Sequence, residues 1–391
     1  MNHKALAVKK GGKRNGRYPS FPQVRLKTIF IKGGICMKKP GNKSVLLLSA
    51  VMLAVFMVFP VIASAELPVV KLIATGGTIA MKIDPVKKAP VPAISGEDLV
   101  ATVPEISGIA RIEVLNISNV PSGYMDPDRW VALQKAVSKE LARPEVAGVI
   151  VSHGTDTLEE TAYFLDLTVN SDKPIVLIGA QRNASEKDFD GPRNLLNATR
   201  ICVSPDARGK GAMIVLNNQI NAAREVTKTH TSDVETFKSG DYGFLGNADN
   251  DQVIFYRAPL RRQYVPVKQD KLPYVEIVAA YGGADGSLVR AAAKAGVKGI
   301  VIQALGWGNV GVPMYEAIKE VLSKGIPVVI STRVPNGRVL PVYGYIGGGK
   351  TLKDVGAIFA DNLPPQKARL LLMLGLQTTS KAGALQKLFD K

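Results

Sequence analysis

Cysteine and histidine are scarce in this chain of 391 residues, which has 2 Cys and 3 His. Cys36 lies in a leader-like stretch, so the body of the chain keeps only Cys202 and an intrachain disulfide framework is excluded there. Only His153 and His230 remain beyond that stretch. One thiol and two scattered imidazoles are too few good ligands for a zinc site, and no metal or other cofactor is among the expectations for this chain. Acidic residues are absent from residues 1–65, which hold twelve of the 50 Lys and Arg. Downstream, 38 basic residues face 33 acidic ones. The net charge of +17 therefore belongs mainly to the leader and not to a folded basic surface, and nucleic acid is not an expected partner.

The leader has the parts of a secretory signal. Met37-Lys38-Lys39 begins a basic segment, residues 45–62 are apolar apart from Ser49 and Pro60, and Ala63-Ser64-Ala65 fits a cleavage site before Glu66. Residues 37–65 are thus expected to be a signal peptide, with translation starting at Met37 and residues 1–36 a mis-called extension. The apolar run is marginal for spanning a bilayer, so no stable membrane anchor is expected, and the location is expected to be periplasmic or secreted.

The remaining residues alternate short apolar runs with helical spacing. Strands are expected at 69–74, 111–117, 146–152, 174–178 and 213–216, with helices at 128–141 and 158–169. Strands this apolar, separated by helices, indicate a parallel sheet covered on both faces. Residues 257–273, with three prolines and five Lys or Arg, interrupt the pattern and are expected to link two domains, 66–256 and 274–391. After them the alternation restarts: strands at 274–279, 299–303 and 327–331, helices at 287–295, 314–322 and 365–377.

Two threonine loops follow expected strands: I-A-T-G-G-T-I-A, with Thr78, and S-H-G-T-D-T, with Thr155. In open parallel sheets the carboxyl ends of the strands face a common crevice, so both loops should line it. Flanking glycines, Gly77 among them, let a substrate approach the backbone and leave N–H groups free to hold an oxyanion. A threonine hydroxyl needs help to act as a nucleophile. Asp156 adjoins Thr155, and Lys228 in E-V-T-K-T-H-T-S-D could accept a hydroxyl proton if it were buried beside Asp156. Taken singly, each loop could equally be a glycine-rich turn with Thr or Asp capping a helix.

T-G-G-T-I-A, H-G-T-D-T-L-E-E-T-A-Y and V-T-K-T-x-T-x-D resemble the signature segments of bacterial type II L-asparaginases, and G-A-Q-R, D-G-P-x-N-L and P-Q-K-A-R fit as well. The likeness runs through 67–391. It implies a flavodoxin-like α/β N-terminal domain, a smaller α/β C-terminal domain and a homotetramer. It also implies hydrolysis of L-asparagine to aspartate and ammonia, with a mixed glutaminase-asparaginase as the near alternative. Position by position, Thr78 matches the nucleophile, and Thr155, Asp156 and Lys228 match a second catalytic group. Ser122 matches the residue that holds the substrate's α-carboxylate, and Ala180 the one whose backbone contacts the side-chain amide.

This sequence departs from the family at four places. Residues 79–123 contain no Tyr, although the family places one in the mobile loop after T-G-G-T. Tyr124, Tyr343 or a water is left to serve instead. Gly123 replaces a Gln or Glu, Gly283 stands where a neighbouring subunit's Asn is usual, and 336–345 lacks the usual acid. A secreted amino-acid-binding protein would share the two-domain α/β plan, but it would not need the threonine pair or the lysine. An amidotransferase subunit would not be exported. His153, at a strand end, reads as a packed residue, not a base. Residues 344–351 (G-Y-I-G-G-G-K-T) fit the phosphate-loop pattern without the strand that such a loop follows.

Overall fold

A strand buried along its whole length, β1 (Val69–Gly76), lies one strand in from an edge of the larger sheet. The structure, a computed structural model, describes residues 66–391. The expected extension and signal segment lie outside the described residues. After β1 comes a hairpin of β2 (Met81–Asp84) and β3 (Ala89–Pro92). Then β4 (Arg111–Val120) pairs parallel with one side of β1, and β5 (Val146–Ser152) with the other. β6 (Ile175–Ile178) and β7 (Ala212–Leu216) extend the sheet in parallel.

The parallel order is β7-β6-β5-β1-β4. The chain leaves β1 for β4 on one side and returns across to β5, then leaves β5 for β6 on the other. Connections thus diverge at the carboxyl ends of β1 and β5, where a flavodoxin-like sheet opens its crevice.

β8 (Gln219–Ala222) turns back antiparallel on β7, and β11 (Gly246–Ala248) and β12 (Val253–Phe255) add an antiparallel edge. Between them β9 (Thr227–Lys228) and β10 (Phe237–Lys238) make a two-residue ribbon. This antiparallel part is not apparent in the apolar pattern, because β8, β11 and β12 are only three or four residues long. The turn into β8 is legible in retrospect: Asn217 and Asn218 both have positive φ (49° and 64°), as a two-residue hairpin requires.

Helices Pro127–Leu141 and Leu158–Thr168 cover one face, packing Trp130, Val137 and Phe164 on Ile73, Val149 and Val151. Helices Gly96–Ala101 and Gly191–Val203 cover the other, with Leu99, Leu195 and Ile201 on Leu72, Ile150 and Val176. Helix Gly191–Val203 is absent from the sequence expectation. It opens on Gly-Pro and carries polar residues, yet Leu195, Ala198, Ile201 and Cys202 keep the three-to-four spacing of a buried stripe.

The smaller sheet is all parallel: β13 (Val275–Ala279), β14 (Gly299–Ala304), β15 (Val328–Thr332) and β16 (Ile358–Phe359), in that order. Helices Ser287–Lys294 and Val312–Ser323 pack on one face. Helix Pro365–Leu376 lies on the other, where Leu370, Leu371, Leu372, Met373 and Leu374 are all buried. A helix apolar nearly all round needs partners on both sides. This one has the small sheet on one side and helix Leu158–Thr168 on the other, within one continuous core. Residues 257–273 are neither helix nor strand. Among the described residues, no helix is long and apolar enough to cross a membrane.

Candidate active site

The loops after β1, β4 and β5 meet backbone to backbone. Gly77 has φ 85°, a conformation that side chains disfavour, and a Cβ there would sit 2.1 Å from Gly154 Cα. A Cβ on Gly154 would sit 2.7 Å from Ser122 Oγ. Side-chain bonds pin the three strand ends: Thr75 Oγ1 donates to Ser152 O (2.9 Å) and Ser118 Oγ donates to Thr75 O (2.9 Å). Thr78 opens a short 3-10 turn, Thr78–Ala80, and is half-buried. Among the described residues, none accepts from or donates to its hydroxyl, so that oxygen is free for another partner. The loop after it is the β2–β3 hairpin, closed by Asp84 Oδ1 accepting from the N–H groups of Val86 (2.9 Å) and Lys87 (2.7 Å).

Lys228 reaches this junction from far along the chain. Its Nζ donates to Thr155 Oγ1 (2.9 Å) and to Asp156 Oδ1 (2.7 Å). The Thr155 hydroxyl in turn donates to Gln181 Oε1 (3.0 Å), so its oxygen sits between a donor and an acceptor. Thr155 is buried, while the Asp156 side chain is 76% exposed and opens to whatever enters the crevice. Ser122 is buried beside them: its Oγ accepts from Asp156 N (3.3 Å) and its carbonyl from Thr157 Oγ1 (2.8 Å). Ala180, just past β6, is fully buried. Gln181 next to it, and Glu159, which accepts from Lys228 N (3.2 Å), are site residues that sequence reasoning missed. Both lie inside the quoted segments G-A-Q-R and D-T-L-E-E, but spacing alone cannot pair residues so far apart.

Other positions fall outside the cluster. Gly123 faces open space, with nothing within 4 Å of a would-be Cβ, and so does Gly283 in the smaller lobe. Tyr124 is exposed in the same 3-10 turn as Ser122, Ser122–Tyr124. Tyr343 stacks between Trp307 and Tyr345 in the smaller lobe. The phosphate-loop look-alike precedes a helix of only 6 residues, Gly349–Asp354, where exposed Lys350 pairs with Asp354. A cleft of about 890 Å³ opens between the lobes, but among the residues above only Lys228 borders it. Among the described residues, no group of three or more His, Cys, Asp or Glu could hold a metal ion.

His153 is fully buried and fully used. Nδ1 donates to Gly154 O (2.7 Å), and Nε2 accepts from Thr161 Oγ1 (3.0 Å), which itself accepts from Trp130 Nε1 (2.9 Å). Burial pushes its pKa down to about 4, so it is neutral at pH 7 and fixes the Gly154 carbonyl. A stability effect follows. Between pH 6.5 and 4 the unfolded chain takes up a proton on this ring that the folded one refuses, so stability falls as pH drops through that window. The wild type should lose about 3 kcal/mol more than His153→Gln on going from pH 7 to 4, by the worth of a pKa unit. Denaturant unfolding of both proteins at the two pH values checks it.

Two family models match the chain. One is described as "Asparaginase, N-terminal" and covers residues 69–261. The other is described as "Glutaminase/Asparaginase C-terminal domain" and covers residues 274–389. The chain is 40% identical over 336 residues to "L-asparaginase 2" of Bacillus subtilis, which spans 83% of this chain and 87% of the relative. It is 37% identical over 338 residues to the "Probable L-asparaginase periplasmic" of Haemophilus influenzae, spanning 84% and 94%. Among solved structures, the "Probable Cytoplasmic L-asparaginase from Campylobacter jejuni" superposes with a TM-score of 0.76 at 38% identity, covering 83% of this chain and 99% of that one. The cytoplasmic description of this Campylobacter jejuni protein contradicts the periplasmic or secreted location expected from the leader. The basic, then apolar, then small-residue pattern behind that expectation lies wholly outside the described residues.

Proposed function

Because the chain belongs to the asparaginase family, we propose that it hydrolyses L-asparagine to L-aspartate and ammonia with Thr78 as nucleophile. The observation that supports this reading best is the bonding of Lys228 Nζ to both Thr155 Oγ1 and Asp156 Oδ1, on the loop that abuts Gly77. In the proposed first step Thr78 Oγ adds to the amide carbon, and backbone N–H groups of the Thr155 loop hold the oxyanion. The amide nitrogen takes a proton and leaves as ammonia, and the aspartyl ester remains on Thr78. Water then cleaves the ester, releasing aspartate and restoring the hydroxyl. The Thr155 hydroxyl, held between Lys228 and Gln181, relays the protons.

Ser122 would hold the α-carboxylate, Asp156 the α-amino group and the Ala180 backbone the side-chain amide, with Gly77 giving room for the substrate. Domains 66–256 and 274–391, joined by 257–273, and a homotetramer belong to the same reading. Ammonia release from asparagine, glutamine and D-asparagine tests it; no release from any of the three would leave the reading without support.

Gly123 favours a second reading, a mixed glutaminase-asparaginase. With no side chain and open space around it, it leaves the α-amino end to Asp156 alone and leaves room for one more methylene. Packing alone separates such a pair by only about 1–3 kcal/mol. Gly123→Gln should fit without a clash, lower the KM for asparagine about tenfold, as one hydrogen bond to a charged group allows, and widen the preference over glutamine. Steady-state kinetics on both substrates would count against this if the KM of the variant is unchanged or higher.

A further inference from the structure

Lys228 stands on a ribbon of two residues paired with two, and such a ribbon has little stability of its own. Something else must hold the 224–228 segment so that Nζ stays within reach of Thr155 and Asp156. The side chains that touch this backbone come largely from elsewhere. Lys367, on helix Pro365–Leu376, is fully buried. Its Nζ donates to Arg224 O (3.2 Å) and to Val226 O, four and two residues before Lys228. The Tyr163 ring lies 6.0 Å away, and among the described residues no carboxylate pairs with this ammonium. Burying an ammonium is costly and draws its pKa down to about 8, against the longer-range pull of Glu159, Glu225 and Glu160. A methionine would fill that space at lower cost, so the carbonyls it grips are the evident reason for a lysine.

Glu159 grips the same segment from the other end. It is buried, with Oε2 accepting from Lys228 N (3.2 Å) and Oε1 from Gln366 Nε2 (2.7 Å). Gln366 and Lys367 are neighbours on one helix, and that helix packs against β13, β14 and β15 of the smaller sheet. The backbone that leads into Lys228, its own N–H included, is thus tied to a helix rooted in the other lobe.

We propose that Lys367 is a positioning residue, which with Glu159 and Gln366 fixes the backbone of Lys228 so that its ammonium meets Thr155 and Asp156. This inference rests on the reading that Lys228 works in the hydrolysis. It gives the smaller lobe a part in the site through its own chain, carried by the P-Q-K-A-R segment.

The test is a double-mutant cycle on the full chain. Lys367→Met should lower kcat about tenfold or more with KM changed less than about twofold, because the substrate-binding groups are untouched. In a Lys228→Met background the same substitution should change the residual rate by less than about twofold, since residues that act through one another do not add. Equal losses in both backgrounds, or a wild-type kcat for Lys367→Met, would overturn the proposal. If circular dichroism finds Lys367→Met unfolded, Gln366→Leu decides. It should show the same pattern with a smaller loss, and an unchanged kcat there overturns it too. Near-normal turnover by Lys228→Met alone would instead remove the underlying reading of the site.

Discussion

Thr78→Ala is expected to release ammonia from asparagine at least about 10³-fold more slowly than the wild type, with little change in KM. The substitution removes the oxygen that becomes bonded to the acyl group, and no neighbour can take that part. Thr155 Oγ1 is already engaged by Lys228 and Gln181, and Ser122 Oγ accepts from the Asp156 N–H. The hydroxyl of Thr78 has no such partner among the described residues. Its loss should therefore cost chemistry and not folding: Thr78 is half-buried and its hydroxyl bonds to no described residue, so the unfolding midpoint should stay close to that of the wild type. Near-normal turnover by this variant would remove Thr78 from the mechanism.

Lys228→Met should cost nearly as much, about 10²–10³-fold in kcat, and Thr155→Val should match it. In the first variant Thr155 keeps only its acceptor Gln181, and the exposed Asp156 carboxylate loses its ion pair. In the second the ammonium faces Asp156 with no hydroxyl between it and the crevice. Each breaks the same relay, so the double variant should be little worse than either single one. Steady-state turnover of the four proteins measures this directly. Multiplied losses would mean that the lysine and the threonine work separately.

Much of the architecture was legible because it depends on apolar runs. The strands at 146–152 and 213–216 are fully or nearly buried, and strands buried on both faces show as β-branched runs between helices. The two threonines could be put at strand ends for the same reason. What stayed hidden depends on residues distant in sequence. Nothing in V-T-K-T says that Lys228 will lie against Thr155, 73 positions earlier, or that Glu159 will meet Gln366, 207 positions later. The hairpin β2–β3 and the antiparallel edge are hard to read because strands of three or four residues carry little periodicity. Helix Gly191–Val203 was hidden by its polar positions, although its buried stripe was present. The compartment is a different case: the expectation rests on the leader pattern alone, and the Campylobacter jejuni relative of the folded part is described as cytoplasmic.

The account turns on which oxygen carries the acyl group. Mixing the enzyme with asparagine, quenching in acid within the first turnovers and mapping peptides by mass spectrometry would reveal it. An aspartyl ester on the peptide containing Thr78, absent from Thr78→Ala, is the result expected. An ester on the peptide containing Thr155, or the same adduct in Thr78→Ala, would contradict it.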